Sequence, residues 1–249
     1  MAQDFEEKRL NELALRAKYG GNAVFTRFLE PSLEKIVRYA AAQADVQAAF
    51  FGGYEGAERR IAAFYQWEAP DESEYPLSCI EIKWNPKYAS PAHRDLLGAV
   101  MGLGLERDST GDIAIGAKDG CAYLFAHSDV DSYICANLES AGRAAVKTSV
   151  SAGEPEIRPP KGEEIRVTVS SERMDAVIAA GLKLSRGDAQ KLISSGMVKR
   201  NHIEELRGDI HLEENDLLSI RGHGRVRVTA FEGITRKGRL GVRLFKYTG

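Results

Sequence analysis

Arginine in the opening turn of a helix is an unusual choice, and this 249-residue sequence makes it twice. In "KLSRGDAQKLISSGMVKRN" (183–201), Ser185 is a good N-cap and Asp188, three residues on, completes a near capping box. Ala189, Leu192 and Ile193 form an apolar stripe, and Gly196 follows as the stop. Arg186 nevertheless falls in the first turn, where the helix dipole makes a positive charge mildly unfavourable. "SSERMDAVIAAG" (170–181) repeats the arrangement, with Ser171 as cap, Met174, Val177 and Ile178 facing inward, Gly181 as the stop and Arg173 in the opening turn. A phosphate wants both features: a guanidinium, and the N–H groups that a helix start leaves without intrahelical partners. Lys183, Lys191, Lys199 and Arg200 extend the positive face, and Arg221 and Arg225 flank a bend at Gly222-His223-Gly224. The alternative use of the two arginines is pairing, Arg173 with Glu172 or Asp175 and Arg186 with Asp188. Surface pairs of that kind contribute only about 0–1 kcal/mol, too little to explain the placement.

The charge along the chain points the same way. Residues 1–160 hold 17 Lys and Arg against 24 Asp and Glu, whereas residues 161–249 hold 17 against 12. In 219–249, eight basic residues face one acid, Glu232. This split implies a C-terminal part that meets a polyanion and an N-terminal part with another task. No run of about 18 apolar residues predicts a membrane span, and no signal-peptide core opens the chain. Cys79, Cys121 and Cys135 lack metal-ligand spacing and read as reduced thiols of a cytoplasmic protein.

The elements that must position these residues are those of an α+β protein. "SAGEPEIRPPKGEE" (151–164), with three prolines, predicts an interdomain linker. Before it, 78–150 read as β-α-β-β-α-β. "SCIEIKWN" is a strand, a helix follows the Ser90 cap, a hairpin turns at Lys118-Asp119-Gly120, a second helix follows Ser128, and "AAVKTSVS" closes the unit. This is the ferredoxin-like order that RNA-recognition domains share. Tyr123 and Phe125 alternate on its third strand, where such sheets stack bases, although "DGCAYLFA" lacks the usual basic-glycine-aromatic opening. Residues 1–77 predict an N-terminal α/β lobe with helices at 4–19 and 31–44 and strands at 46–51 and 59–66. Residues 165–249 form the basic module with its C-terminal strands.

Arg173-Met-Asp-Ala, then Leu184-Ser-Arg-x-x-Ala-x-x-Leu-Ile-x-x-Gly-x-Val, and later Asn215-Asp216 before "LLSI", resemble the S4 domain, the RNA-binding module named after ribosomal protein S4. The resemblance spans about 171–222 and departs at "NHIEELRG", where His202 takes the glycine position of a tight Asn-Gly turn. "FFGGYEGAERR" (50–60), "IEIKWNPKY" (80–88) and "HRDLLGAVMGLGLERDSTGDI" (93–113) extend it to the YlmH family of bacterial S4-domain proteins. That resemblance implies a monomeric factor of ribosome-associated quality control. Its S4 domain contacts rRNA and tRNA on an obstructed large ribosomal subunit that still carries peptidyl-tRNA, and so supports template-free extension of the stalled chain. Under it, Arg173, Lys183, Ser185, Arg186, Lys191, Lys199, Arg200, Arg221 and Arg225 are the RNA-binding candidates. A cell-division link attaches to the family too, but no residue here speaks to it.

Enzymes also carry S4 modules, so catalysis is the competing expectation. A pseudouridine synthase needs an Asp in a Gly-Arg-Leu-Asp context, but Gly238-Arg239-Leu240-Gly241 has glycine there. Nucleotide-binding signatures of a tyrosyl-tRNA synthetase are absent, and the glycines of "MGLGLERDSTGD" follow a helix instead of opening one, against a methyltransferase. His93, Arg94 and Asp95 are consecutive on a helix and point apart, so they do not converge on one centre. The sequence therefore predicts an RNA binder without catalysis, cofactor or metal. The alternatives are an rRNA- or tRNA-modifying enzyme or its accessory subunit, or a scaffold whose acidic N-terminal lobe holds a protein.

Overall fold

The computed structural model describes residues 2–235 and 238–248, with side chains described from residue 6. Arg236 and Lys237, two of the eight C-terminal cations, lie outside the described residues. The chain is mixed α and β, as its patterning predicts, and divides into two compact units, 1–159 and 160–249.

In the first unit, α1 (Ala2–Gly20), β1 (Val24–Leu29), α2 (Glu34–Ala44), β2 (Gln47–Phe51) and β3 (Arg60–Tyr65) come first, with an antiparallel sheet ordered β1-β3-β2. Leu10, Ala14 and Ala17 of α1 recur at helical spacing and pack with Val37, Ala40, Ala41 and Ala44 of α2 against Ala62 and Phe64 of β3. The alternate β3 residues Ile61 and Ala63 face the other way, so this strand is buried on both sides and reads as a continuous apolar run. The strand β1 was not expected from the sequence. Its register against β3 shifts between Phe25 and Phe28, and the Thr26 hydroxyl accepts the Ala62 N–H at 2.9 Å there.

Next come β4 (Leu77–Trp84), α3 (His93–Met101), β5 (Thr110–Ile115), β6 (Cys121–His127), α4 (Asp131–Asn137), β7 (Ser140–Ala141) and β8 (Ala144–Val150), with sheet order β5-β6-β4-β8-β7. This is the ferredoxin-like strand order with one short added strand. Leu96 and Val100 of α3 and Ile134 of α4 pack on Ile80, Ile82, Ala122 and Leu124, one face of the sheet. The opposite face, carrying Tyr123 and Phe125, is covered by Phe28, Ile61 and Ala63 of the first sheet. Phe125 is fully buried and stacks on Tyr54 with centroids 4.8 Å apart. The face that could have stacked bases is therefore filled with protein.

Polar groups fasten the two sheets. The buried Arg59 donates from Nε to the Thr110 carbonyl at 3.1 Å and from Nη2 to the Phe28 and Arg107 carbonyls at 3.2 Å. Burial lowers its pKa, against the raising influence of Glu30 and Asp112. Asp112 accepts the Glu58 N–H at 2.6 Å and the Tyr54 hydroxyl at 3.2 Å. Gly53 has φ +94°, and a Cβ there would stand 2.2 Å from the Phe125 ring, so only glycine fits the turn beneath the stacked pair. The segment before Pro159 runs beside β5, with Arg158 N–H donating to the Ile115 carbonyl at 2.9 Å.

The second unit contains β9 (Gly162–Val169), α5 (Met174–Leu182), α6 (Arg186–Ser194), β10 (Val198–Arg200), β11 (Ile203–Glu204), β12 (Leu217–Ile220), β13 (Gly224–Ile234) and β14 (Leu240–Tyr247). Its antiparallel sheet has the order β11-β10-β12-β13-β14-β9. Met174, Val177 and Ile178 of α5 and Ala189 and Ile193 of α6 pack against Val198, Leu218, Ile220, Val226, Val228, Val242 and Leu244, one face of that sheet. Three expected caps and one stop move. The helices expected after Ser90, Ser128 and Ser171 are capped at Ala92, Val130 and Arg173. At α5 the cause is pairing: Leu212 N–H donates to the Glu172 carbonyl and Arg173 bridges His211, which keeps 172–173 extended. Gly181 lies inside α5, and Lys183 ends it with a left-handed φ of 56°.

A candidate RNA interface at paired helix starts

The second unit builds its site from the beginnings of α5 and α6. Ser185 caps α6: its hydroxyl accepts the Asp188 N–H at 3.1 Å and donates to the Asp188 carboxylate at 2.7 Å. The cap uses this hydroxyl, so Ser185 contributes to the site chiefly by fixing where α6 begins. The first-turn amides of Arg186 and Gly187 precede the first N–H that an intrahelical carbonyl can reach. At α5 the equivalent groups are occupied. Met174 N–H donates to the Ile210 carbonyl at 2.9 Å and Asp175 N–H to the Gly208 carbonyl at 3.0 Å. Of the two helix starts expected to offer backbone donors, α6 can and α5 cannot.

Asp175 joins the two arginines. Arg173 donates from Nε at 3.2 Å and Nη2 at 2.9 Å, and Arg186 donates from Nη2 at 3.0 and 3.2 Å, all to this carboxylate. The expected partner of Arg186 was Asp188; the observed partner is Asp175, eleven residues earlier in the chain. The Asp175 side chain is 8% exposed, whereas those of Arg173 and Arg186 are 38% and 54% exposed. Burial raises the Asp175 pKa, and the hydrogen bonds from Arg173 and Arg186 outweigh it, so the carboxyl is held below its ordinary value. One carboxylate shared by two guanidiniums leaves a surplus positive charge, on side chains whose outer edges face solvent.

A second pairing of the same type holds Arg200. Its Nε and Nη2 both lie 2.8 Å from Oδ2 of the buried Asp216, and Asn201 donates to the other oxygen at 2.6 Å. Lys183, Lys199 and Arg221 are exposed and carry no ion pair among the described residues, and Lys191 lies 3.8 Å from Asp188. Lys183, Arg186 and Lys191 therefore belong to the helix side of the unit. Lys199 and Arg225 do not join them: Val198, Val226 and Val228 point into the core, so their alternating neighbours emerge on the outer face of the sheet. Asp175 was expected only as a possible partner of Arg173; its bridge to Arg186 and the pairing of Asp216 with Arg200 were not expected from the sequence. The Arg-x-Asp spacing at 173–175 was the available signal for the Arg173 pair.

Elsewhere, Asp95 accepts the Ala92 N–H at 2.9 Å and Arg94 is exposed, so His93-Arg94-Asp95 serves a helix start. No group of three or more His, Cys, Asp or Glu side chains is arranged to hold a metal ion among the described residues. No described helix is long and apolar enough to cross a membrane.

Comparison with known proteins agrees with this architecture. Residues 70–153 match a family model described as "Putative RNA-binding domain in YlmH". The chain is 37% identical over 238 residues to the ribosome-associated protein quality control protein P2 of Bacillus subtilis (strain 168), covering 94% of this chain and 89% of that relative. Its fold is similar to the solved structure titled cell division protein ylmH from Streptococcus pneumoniae, with a TM-score of 0.50 and 21% identity, over 61% of this chain and 92% of that one. The chain belongs to the YlmH family.

Proposed function

We propose that this protein is a non-catalytic RNA-binding factor that associates with the ribosome. It engages rRNA and tRNA on the large subunit during quality control of stalled translation, where peptidyl-tRNA remains bound and the chain is extended without a template. It acts in the cytoplasm, is monomeric when free and needs no cofactor. The observation that carries the reading is the shared clamp: Arg173 and Arg186 converge on the buried Asp175 beside the open start of α6. A guanidinium held in place by a carboxylate loses less side-chain freedom when it meets a phosphate. The name of the Bacillus subtilis relative supports the ribosomal setting, and the family model over 70–153 supports RNA as the ligand. Sedimentation of the tagged protein through sucrose gradients, from cells with stalled translation, tests the assignment. Migration with free large subunits is expected, and migration only with soluble proteins defeats it.

A further inference from the structure

The face of the C-terminal sheet turned away from α5 and α6 is not a plain solvated surface. Strand register places Lys199 of β10 opposite Ser219 of β12, and Ser219 opposite Arg225 of β13. On the next row, Arg227 of β13 stands opposite Phe245 of β14. The Arg225 guanidinium lies 5.2 Å from the centre of the Tyr247 ring and that of Arg227 lies 6.0 Å from it. Phe245 and Tyr247 meet edge to face at 5.0 Å. Two aromatic rings and three cations thus share adjacent rows of the central strands. Acids stand only at the flanks of these rows, Glu204 opposite Lys199 and Glu164 opposite Phe245.

Among the described residues, Nε of Arg227 and Oγ1 of Thr229, both on β13, are shielded from solvent and make no hydrogen bond. Aromatic rings set among arginines on a sheet are the arrangement that binds unpaired nucleotides: bases stack on the rings and the cations follow the backbone. We infer that the outer sheet face, through Phe245, Tyr247, Arg225, Arg227 and Lys199, is a second RNA site that takes unpaired bases, distinct from the phosphate-binding edge at α6. This rests on the RNA-binding reading and divides it, giving backbone contact to the helix edge and base contact to the sheet. It also supplies a base platform in a molecule whose ferredoxin-like sheet is closed by Phe28 and Ile61.

The test uses the full chain with Phe245→Leu and Tyr247→Leu together, which keeps apolar bulk on β14 but removes both rings. Fluorescence anisotropy is read against an oligouridine of about 12 nucleotides and an RNA duplex of the same length. The variant is expected to bind oligouridine about tenfold more weakly, the loss expected when a stacked base is removed, with unchanged duplex affinity and unchanged salt dependence. Unchanged oligouridine affinity overturns the platform and leaves the helix-edge reading standing. An equal loss on both RNAs also overturns it, because the rings would then support the fold and not the bases. Failure of the wild-type chain to bind either RNA defeats the RNA-binding reading itself.

Discussion

Asp175 sits almost out of solvent between two arginines whose tips remain wet, and this asymmetry sets its energetic role. Removing its charge leaves both guanidiniums able to hydrate, so Asp175→Asn is expected to cost about 1–3 kcal/mol in chemical denaturation, below the loss for a fully buried pair. The pH dependence has a definite sign. Because the folded pKa of Asp175 is lowered, its contribution is complete above the ordinary carboxylate value. It is lost as pH falls through the lower folded value. Wild type should therefore lose more stability than Asp175→Asn as the solution is acidified below about pH 4, measured by thermal unfolding across pH. Arg186 was legible in the sequence, because a cation in a first turn opposes the helix dipole, whereas Arg173 stands at the cap of α5 and not in its first turn. Their shared partner was not legible, since local spacing suggests Asp188 for Arg186 and only the packing of α5 against α6 brings Asp175 within reach.

Among the elements, turns and helix ends carry most of the departures from sequence expectation. The resemblance to the S4 module broke at His202, and the structure shows what the residue does there: Asn201 and His202 take φ of +48° and +69° in the two-residue loop between β10 and β11. That geometry suits glycine and strains histidine, so His202→Gly is expected to raise stability by about 1 kcal/mol in denaturant titration. Gly53 makes the opposite case. Gly53→Ala would force a Cβ into the Phe125 ring at a positive φ, and a loss of about 2 kcal/mol or more is expected in the same assay. The helices α1 and α2 were readable because each buries one stripe. The strand β1 was not, because Phe25 faces the middle sheet while Val24 and Leu29 face the helices, leaving no alternation of apolar with polar. Helix starts at Ala92 and Arg173 depend on backbone pairing and a returning carboxylate, which serine positions alone do not encode.

On the scale of the whole molecule, residues 1–159 behave as one body of stacked layers, and the consequence is functional as well as structural. The segment matched by the family model, 70–153, exposes Tyr123 and Phe125 if the preceding residues are removed. Expressed alone, this segment should aggregate or bind hydrophobic dyes, whereas 1–159 should unfold in a single cooperative transition. The α+β class was legible, since turns, prolines and periodicity mark its elements. Closure of the middle sheet by the N-terminal one was not, because sequence pattern does not tell an aromatic packed on protein from one offered to a base. The basic C-terminal unit thus becomes the part of the chain to which the proposed RNA contacts are assigned. The proposed grip of the α6 edge on phosphate is probed by the salt dependence of affinity for a ribosomal RNA transcript. Arg186→Ala should weaken binding and lower the slope of log affinity against log salt by about 0.7–0.9. Affinity and slope both equal to those of wild type would rule out a phosphate grip at Arg186.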